Sequence, residues 1–216
     1  MASPRIIAID GPAGSGKSSL AASFVDAACR RGERCLYFPF EESMSQILRN
    51  MRSIGIDLTP HVKKGLLRFH ATRPTVYGLE MHLVTMYDLI NEYKPEVVVM
   101  DPITDFFTIG TQIEVKAAIT RIIDFLKSNE ITGLFTSITS EDDGADQSMV
   151  GVSSLIDTWI SLRNLEINGD RHRALFIRKS RGMPHSSQVR SFHLTGNGIA
   201  IGTLDLAGRR TSANQT

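Results

Sequence analysis

The run Gly11-Pro12-Ala13-Gly14-Ser15-Gly16-Lys17-Ser18 has the residue types and spacing to hold a chain of phosphates. In a Gly-x-x-x-x-Gly-Lys-Ser loop between a strand and a helix, successive backbone amides turn toward the anion. The lysine reaches the outer phosphates and the serine hydroxyl is offered to magnesium. Gly11, Gly14, Ser15, Gly16, Lys17, Ser18 and the adjoining Ser19 are therefore the candidate nucleotide contacts, and a helix starting at Lys17 adds its positive end. The pattern selects ATP or GTP with Mg2+; a ligand-free glycine connector is the competing explanation.

Three further groups could supply the rest of a phosphoryl-transfer site. Asp101 ends the apolar run Val97-Val98-Val99-Met100, where a carboxylate loses hydration unless something binds it, and a magnesium ion held through water would compensate. Pro102 follows it, so an acid that activates the nucleophile must come from elsewhere. Glu41 and Glu42 follow another strand and so reach the same sheet edge as the glycine loop. Neighbouring carboxylates raise one another's pKa, which suits a general base, although the same pair also suits the positive end of the helix after Ser43. Lys179 and Arg181 are separated by one residue at a strand end, so they project alike and could meet one phosphate, in a ring that of a neighbouring subunit; a solvated basic strand end explains them equally well. His172, Arg173 and Arg178 add charge to that region. Ser18, Asp101 and Glu42 are the candidate metal ligands, and Lys17, Glu41, Glu42, Lys179 and Arg181 the candidate catalytic set.

Positioning these groups requires alternating strands and helices. Arg5 to Asp10 reads as a buried strand entering the loop, and Lys17 to Arg30 carries Leu20, Phe24, Ala27 and Ala28 at helical spacing. A strand is expected over Cys35 to Phe40 and a helix from Ser43, with Gln46 completing a capping box. A helix over Leu79 to Tyr93, a strand over 97–101, a helix over Glu114 to Ser128, and strands over Gly133 to Ile138 and Thr158 to Leu162 continue the alternation. Short segments over Ile160–Glu166, Ala174–Lys179, Val189–Leu194 and Ile199–Leu204 are separated by glycine-containing turns, which predicts antiparallel strands added at one edge. The fold class is α/β: a mainly parallel sheet flanked by helices. One domain over 1–206 and a flexible tail over 207–216 are expected.

The chain of 216 residues suits one substantial core; its mixture of 42% hydrophobic and 22% charged residues fits neither a disordered segment nor a membrane protein, and no apolar run approaches the roughly 18 residues of a membrane span. A net charge of +1 gives no bulk attraction to nucleic acid, and no Lys- or Arg-rich loop follows Asp101 or Ser140, which disfavours DNA strand exchange. Cys29 and Cys35 read as buried thiols, and the scattered His61, His70, His82, His185 and His193 lack zinc-ligand spacing. Trp159 reads as core, and Phe106-Phe107 as either core or interface. No secretory leader precedes the first motif, so the cytoplasm is the expected location.

The passages GERCLYFPFEESMSQILRNMRSIGIDL, LINEYKPEVVVMD, NEITGLFTSITS, GVSSLIDTWISLRNLEINGD and FIRKSRGMPHS carry a resemblance from Ser15 to about Gly202. The sequence resembles the KaiC-type RecA-like ATPases, and within them the second, C-terminal domain of the circadian clock proteins. The resemblance implies hexameric rings with ATP and Mg2+ between neighbours, slow ATP hydrolysis, and clock-type or signalling partners. It implies that Glu41 and Glu42 activate a nucleophile, that Asp101 is associated with the metal, and that Lys179 and Arg181 act across the interface. It also implies that Ser153 and Ser154 are phosphoacceptors of a serine/threonine autokinase, a serine standing where the family's pair has a threonine. A nucleotide-controlled interaction module without kinase activity is the alternative.

Overall fold

A computed structural model describes residues 5–139, 151–167 and 169–204. The first unit follows the sequence pattern closely. Strand β1 (Ile6–Gly11) runs into the glycine loop, and helix α1 (Lys17–Arg30) leaves it. Strand β2 (Cys35–Pro39) is buried throughout. It leads to α2 (Met44–Ser53), where the Ser43 side chain accepts from the Gln46 amide and the Gln46 side chain returns to the Ser43 amide.

Two short elements come next that the sequence pattern did not reveal: α3 (Thr59–Lys63) and β3 (Leu67–Phe69). Five and three residues are too few for either periodicity to repeat. Then come α4 (Leu79–Tyr93), β4 (Val97–Asp101), α5 (Gln112–Ser128) and β5 (Thr132–Ile138). Helix α5 starts two residues before Glu114 because Thr111 caps it, with Glu114 as the reciprocal partner. Finally β6 (Thr158–Ile167), β7 (Asp170–Ser180), β8 (Arg190–Thr195) and β9 (Gly198–Thr203) form successive antiparallel pairs.

The described strands make one sheet in the order β3-β2-β4-β5-β1-β6-β7-β8-β9, parallel from β3 through β6. The apolar run of β4 is explained by its two faces. Val98 and Met100 pack with Leu83, Met86, Ile90, Ile119 and Ile122 from α4 and α5. Val97 and Val99 pack with Ala21, Val25, Ile47 and Met51 from α1 and α2. Each such side chain contributes about 1.5–3 kcal/mol relative to exposure. Phe106 and Trp159 belong to the core on the α4–α5 side, with Phe106 against the Phe40 ring and Phe107 packed beside it. The expected tail 207–216 lies outside the described residues.

Parallel pairing has one consequence for function. All strands from β3 to β6 end at the same edge, so the glycine loop, Glu41, Glu42 and Asp101 share it. Strand β7 runs the other way and delivers Lys179 and Arg181 to the opposite, amino edge, where Thr158 pairs with Ser180 and the Arg181 amide donates to the Asp157 carbonyl.

Candidate functional site

The glycine loop is shaped by what surrounds it. At Gly16 φ is +103°, and a Cβ there would lie 2.6 Å from the Phe192 ring of β8. At Gly11 a Cβ would meet the Leu162 carbonyl oxygen of β6 at 2.7 Å. Both positions require glycine, one for backbone conformation and both for space. No side chain caps the start of α1, so its first amides face the loop's concavity with the dipole behind them. Lys17 is buried and its Nζ donates to the carbonyls of Gly11 and Pro12, both at 2.8 Å. The ammonium is thus held at the mouth of the cradle.

A cavity of about 310 Å³ opens beside this loop, lined by Gly14, Gly16, Lys17, Ser18, Glu41 and Asp101 among others. Ser15 is buried in the loop, while Ser18 and the largely buried Ser19 line the cavity. Ser18, Glu42 and Asp101 also share a smaller cleft of about 20 Å³. The three candidate metal ligands therefore come together, although no cluster of three His, Cys, Asp or Glu forms a metal site among the described residues.

The Asp101 carboxylate has two hydroxyl donors that the sequence analysis did not single out. The Tyr37 hydroxyl donates to one oxygen at 2.6 Å and the Thr136 hydroxyl to the other. Both hydroxyls come from adjacent strands, so the acid is oriented by the sheet before any ion arrives. Burial, reinforced by Asp101, pushes the Tyr37 hydroxyl pKa well up and keeps it a donor.

The acidic pair is split by its surroundings. Glu41 is exposed on the cavity wall. Glu42 is half-buried and accepts from Asn50 Nδ2 at 2.9 Å; burial first, and Asp101 second, raise its pKa. A third carboxyl, Asp105, was not singled out from the sequence. Burial, then Glu41 and Asp101, push it up to about 6 against the opposing charge of Arg73.

The basic residues divide between two places. Lys179 Nζ donates to the Ser153 carbonyl at 2.8 Å, and Lys127 Nζ to the Leu155 carbonyl at 2.7 Å. The short 3₁₀ turn Ser153–Leu155 is thereby pinned to β7 and to the end of α5, with Ser154 exposed. Arg181 lies past the end of β7, its carbonyl accepting from Arg5 at 3.0 Å, so it does not share a strand face with Lys179. Burial, then the Arg181 charge, lowers the Lys179 pKa. His172 and Arg173 are at the other end of β7, separated from this group by the length of the strand: Arg173 Nε donates to the Gly14 carbonyl at 3.3 Å. With Arg171 and His193 they line a cavity of about 290 Å³ beside the loop. The long β7 places one cationic group at each edge, which the shorter strand expected from the sequence obscured. Arg178 stacks over the buried Trp159 ring at 5.7 Å.

A parallel sheet with a strand–glycine loop–helix unit at its carboxyl edge, and added antiparallel strands at one side, defines a RecA-like P-loop nucleotide-binding domain. The chain belongs to the KaiC family of ATPases, whose family model, described as "ATPase: KaiC", matches residues 1–205. It is 50% identical over 197 residues to "Circadian clock protein KaiC2" of Synechocystis, covering 90% of this chain and 35% of that protein. It is 35% identical over 198 residues to "Circadian clock protein KaiC3" of the same organism, covering 91% and 39%. To "Circadian clock oscillator protein KaiC" of Picosynechococcus it is 34% identical over 197 residues, covering 91% and 38%. The chain thus spans little more than a third of the length of these relatives. No helix among the described residues is long and apolar enough to cross a membrane.

Proposed function

We propose that this domain hydrolyses ATP slowly in a hexameric ring and transfers phosphate to Ser153 and Ser154 of a neighbouring copy. The observation that carries the reading is the placement of its parts at opposite edges of one sheet. The glycine loop follows the carboxyl end of β1, whereas Lys179 and the tied Ser153 turn belong with its amino end. Six residues of strand at about 3.3 Å each separate the edges by roughly 20 Å. No chain can close that distance on its own phosphates, and a head-to-tail ring closes it between chains.

Lys17 and the loop amides bind the phosphates, and Ser18, Asp101 and Glu42 would hold a magnesium ion, which would supply neutralisation of charge developing on the phosphate oxygens. Glu41 or Glu42 accepts the proton of the nucleophile, either water or a serine hydroxyl. The nucleophile oxygen forms the new P–O bond, the bond to the β–γ bridging oxygen breaks, and ADP leaves. Lys179 and Arg181 of the neighbour stabilise the charge in transit. The family membership and the KaiC-type relatives support the hydrolysis and the assembly. The cytoplasm is the compartment proposed for it.

ATP labelled on its γ-phosphate tests the reading. Label on Ser153 or Ser154 together with free labelled phosphate is expected. Assembly with neither product would favour an interaction module governed by nucleotide occupancy alone.

A further inference from the structure

Asp10, the residue immediately before Gly11 on β1, is fully buried. Among the described acidic residues only Asp10 and Asp101 are buried, and their surroundings differ. Asp101 receives two hydroxyls, whereas neither oxygen of Asp10 has a hydrogen-bond partner among the described residues. In register beside Asp10 are Ser137 of β5 and Ser161 of β6, so the three side chains share one face of the sheet. The Ser161 hydroxyl is also buried without a partner. Opposite charge comes from Arg163, two residues along β6, whose Nη2 lies 3.5 Å from Asp10 Oδ2. The same guanidinium donates through Nη1 to the Leu162 carbonyl at 2.8 Å, the oxygen that a Cβ on Gly11 would meet. Arg163 is therefore placed against both Asp10 and the wall that confines Gly11, and the Gly11 carbonyl is one of the two that anchor Lys17.

We propose that Asp10 and Arg163 set how tightly the cradle holds the phosphates of its nucleotide: Asp10 is a fixed negative charge behind the loop, and Arg163 is the counter-charge that keeps it from repelling the ligand. Both are positioning residues, acting through Gly11 and through the field at the loop without touching the nucleotide. The inference rests on the nucleotide-binding reading above and adds to it the residues that tune affinity.

A carboxylate is rarely buried without a partner charge, because losing its water costs it far more than a neutral group. Here the compensation is incomplete, since the pair stands at 3.5 Å with no hydrogen bond between its members. Apolar residues of similar volume would serve stability as well or better. What the pair supplies is a field at the start of the cradle. In a medium of effective dielectric about 20, a unit charge about 10 Å from another shifts an equilibrium by roughly tenfold. A triphosphate carries more negative charge than a diphosphate and feels the field more. Arg163 alone would add its attraction to that of Lys17 and the loop amides, and would hold the ADP product as well as the ATP. Asp10 offsets that added attraction, so the product can leave.

Equilibrium titration of the full chain with Mg2+ and either a slowly hydrolysed ATP analogue or ADP tests the proposal, with folding verified by thermal melting. Asp10→Asn keeps the side-chain shape and removes the charge, so the analogue should bind up to roughly tenfold more tightly, and ADP should gain less. Arg163→Gln leaves the carboxylate uncompensated and should weaken the analogue by roughly tenfold, with most of the loss recovered in Arg163→Lys. The double variant should return close to wild type. Lost packing alone would loosen the loop and weaken binding in both single variants, so opposite signs are the signature of charge. Weaker binding in both, unchanged affinity in a folded Asp10→Asn chain, or equal shifts for the analogue and ADP would overturn the proposal. If Arg163→Gln does not fold, Asp10→Asn and Arg163→Lys still decide it. Wild-type chains that bind neither ligand would sink the nucleotide-binding reading and the tuning pair with it, whereas wild-type binding with unmoved variants would sink the pair alone.

Discussion

The two edges of the sheet are built on different plans. At the carboxyl edge, Asp101 is fixed by hydroxyls from two neighbouring strands, and Lys17 by two carbonyls of its own loop. At the amino edge, Lys179 and Lys127 each hold a carbonyl of a short turn, and Arg181 and Ser154 face outward. One edge gathers the glycine loop and carboxylates, and the other presents hydroxyls and cations. Each is internally well tied. This contrast is what the proposed transfer between copies rests on.

Substitutions on either edge can break this contrast. The largest effect is expected from Glu41→Gln combined with Glu42→Gln, which should lower turnover about 10²- to 10⁴-fold while nucleotide affinity stays close to wild type. Single-turnover phosphate release with parallel equilibrium binding checks it, and normal turnover would send the search for the base elsewhere. Lys17→Ala follows. Truncating one partner of a buried charge contact costs about 2–5 kcal/mol, so affinity should fall at least 30-fold or so. Calorimetry giving an unchanged Kd would remove the lysine from the cradle. On the opposite edge, replacing Lys179 and Arg181 together by Ala should slow turnover about 10²-fold and spare nucleotide affinity in the same chain. Loss of affinity with intact turnover would invert the roles of the edges.

The smallest effect concerns Asp105. Its carboxyl is pushed up to about 6, so the folded state holds this proton more tightly than the unfolded chain does. The charged form is therefore disfavoured by folding, and the cost is present above pH 6 and gone once the pH falls below the ordinary carboxyl value. Asp105→Asn should accordingly raise Tm at pH 7.5 and leave it unchanged near pH 3.5. The residue is only part-buried, so screening limits the gain to below about 1 kcal/mol, or roughly 2–4 °C for a chain of this length. A gain equal at both pH values would mean that charge relief is not its origin.

The sequence carries the carboxyl edge better than the amino edge, for physical reasons. The loop's glycines, Lys17, Ser18 and the strand ends at Glu41 and Asp101 are local signals, and parallel pairing brings local signals to one edge automatically. The capped start of α2 at Ser43 is equally local. The orientation of Asp101 by Tyr37 and Thr136 is not, because both partners lie on other strands and look like ordinary strand residues in isolation. Asp105 and Arg73 are remote in sequence and meet only through the packing around Phe40, so neither stands out alone. The separation of Arg173 from Lys179 depended on the full length of β7, which begins at Asp170. The pinning of Ser153 by Lys179 is a side-chain contact across 26 residues that no spacing rule contains. Residues 140–150 lie outside the described residues.

The central claim is that one active site is divided between two chains, and a mixing experiment tests it most directly. Acceptor chains carrying Lys17→Ala keep Ser153 and Ser154 but lack a working cradle. Donor chains carrying Ser153→Ala and Ser154→Ala keep the cradle but lack acceptors. Each is incubated alone and together with ATP and Mg2+, mixed assemblies are verified by native mass spectrometry, and phosphate is located by peptide mass spectrometry. The account predicts phosphate on Ser153 or Ser154 of the Lys17→Ala chain only in the mixture. Verified mixed assemblies in which that chain stays unmodified, while wild-type chains are phosphorylated, would contradict it.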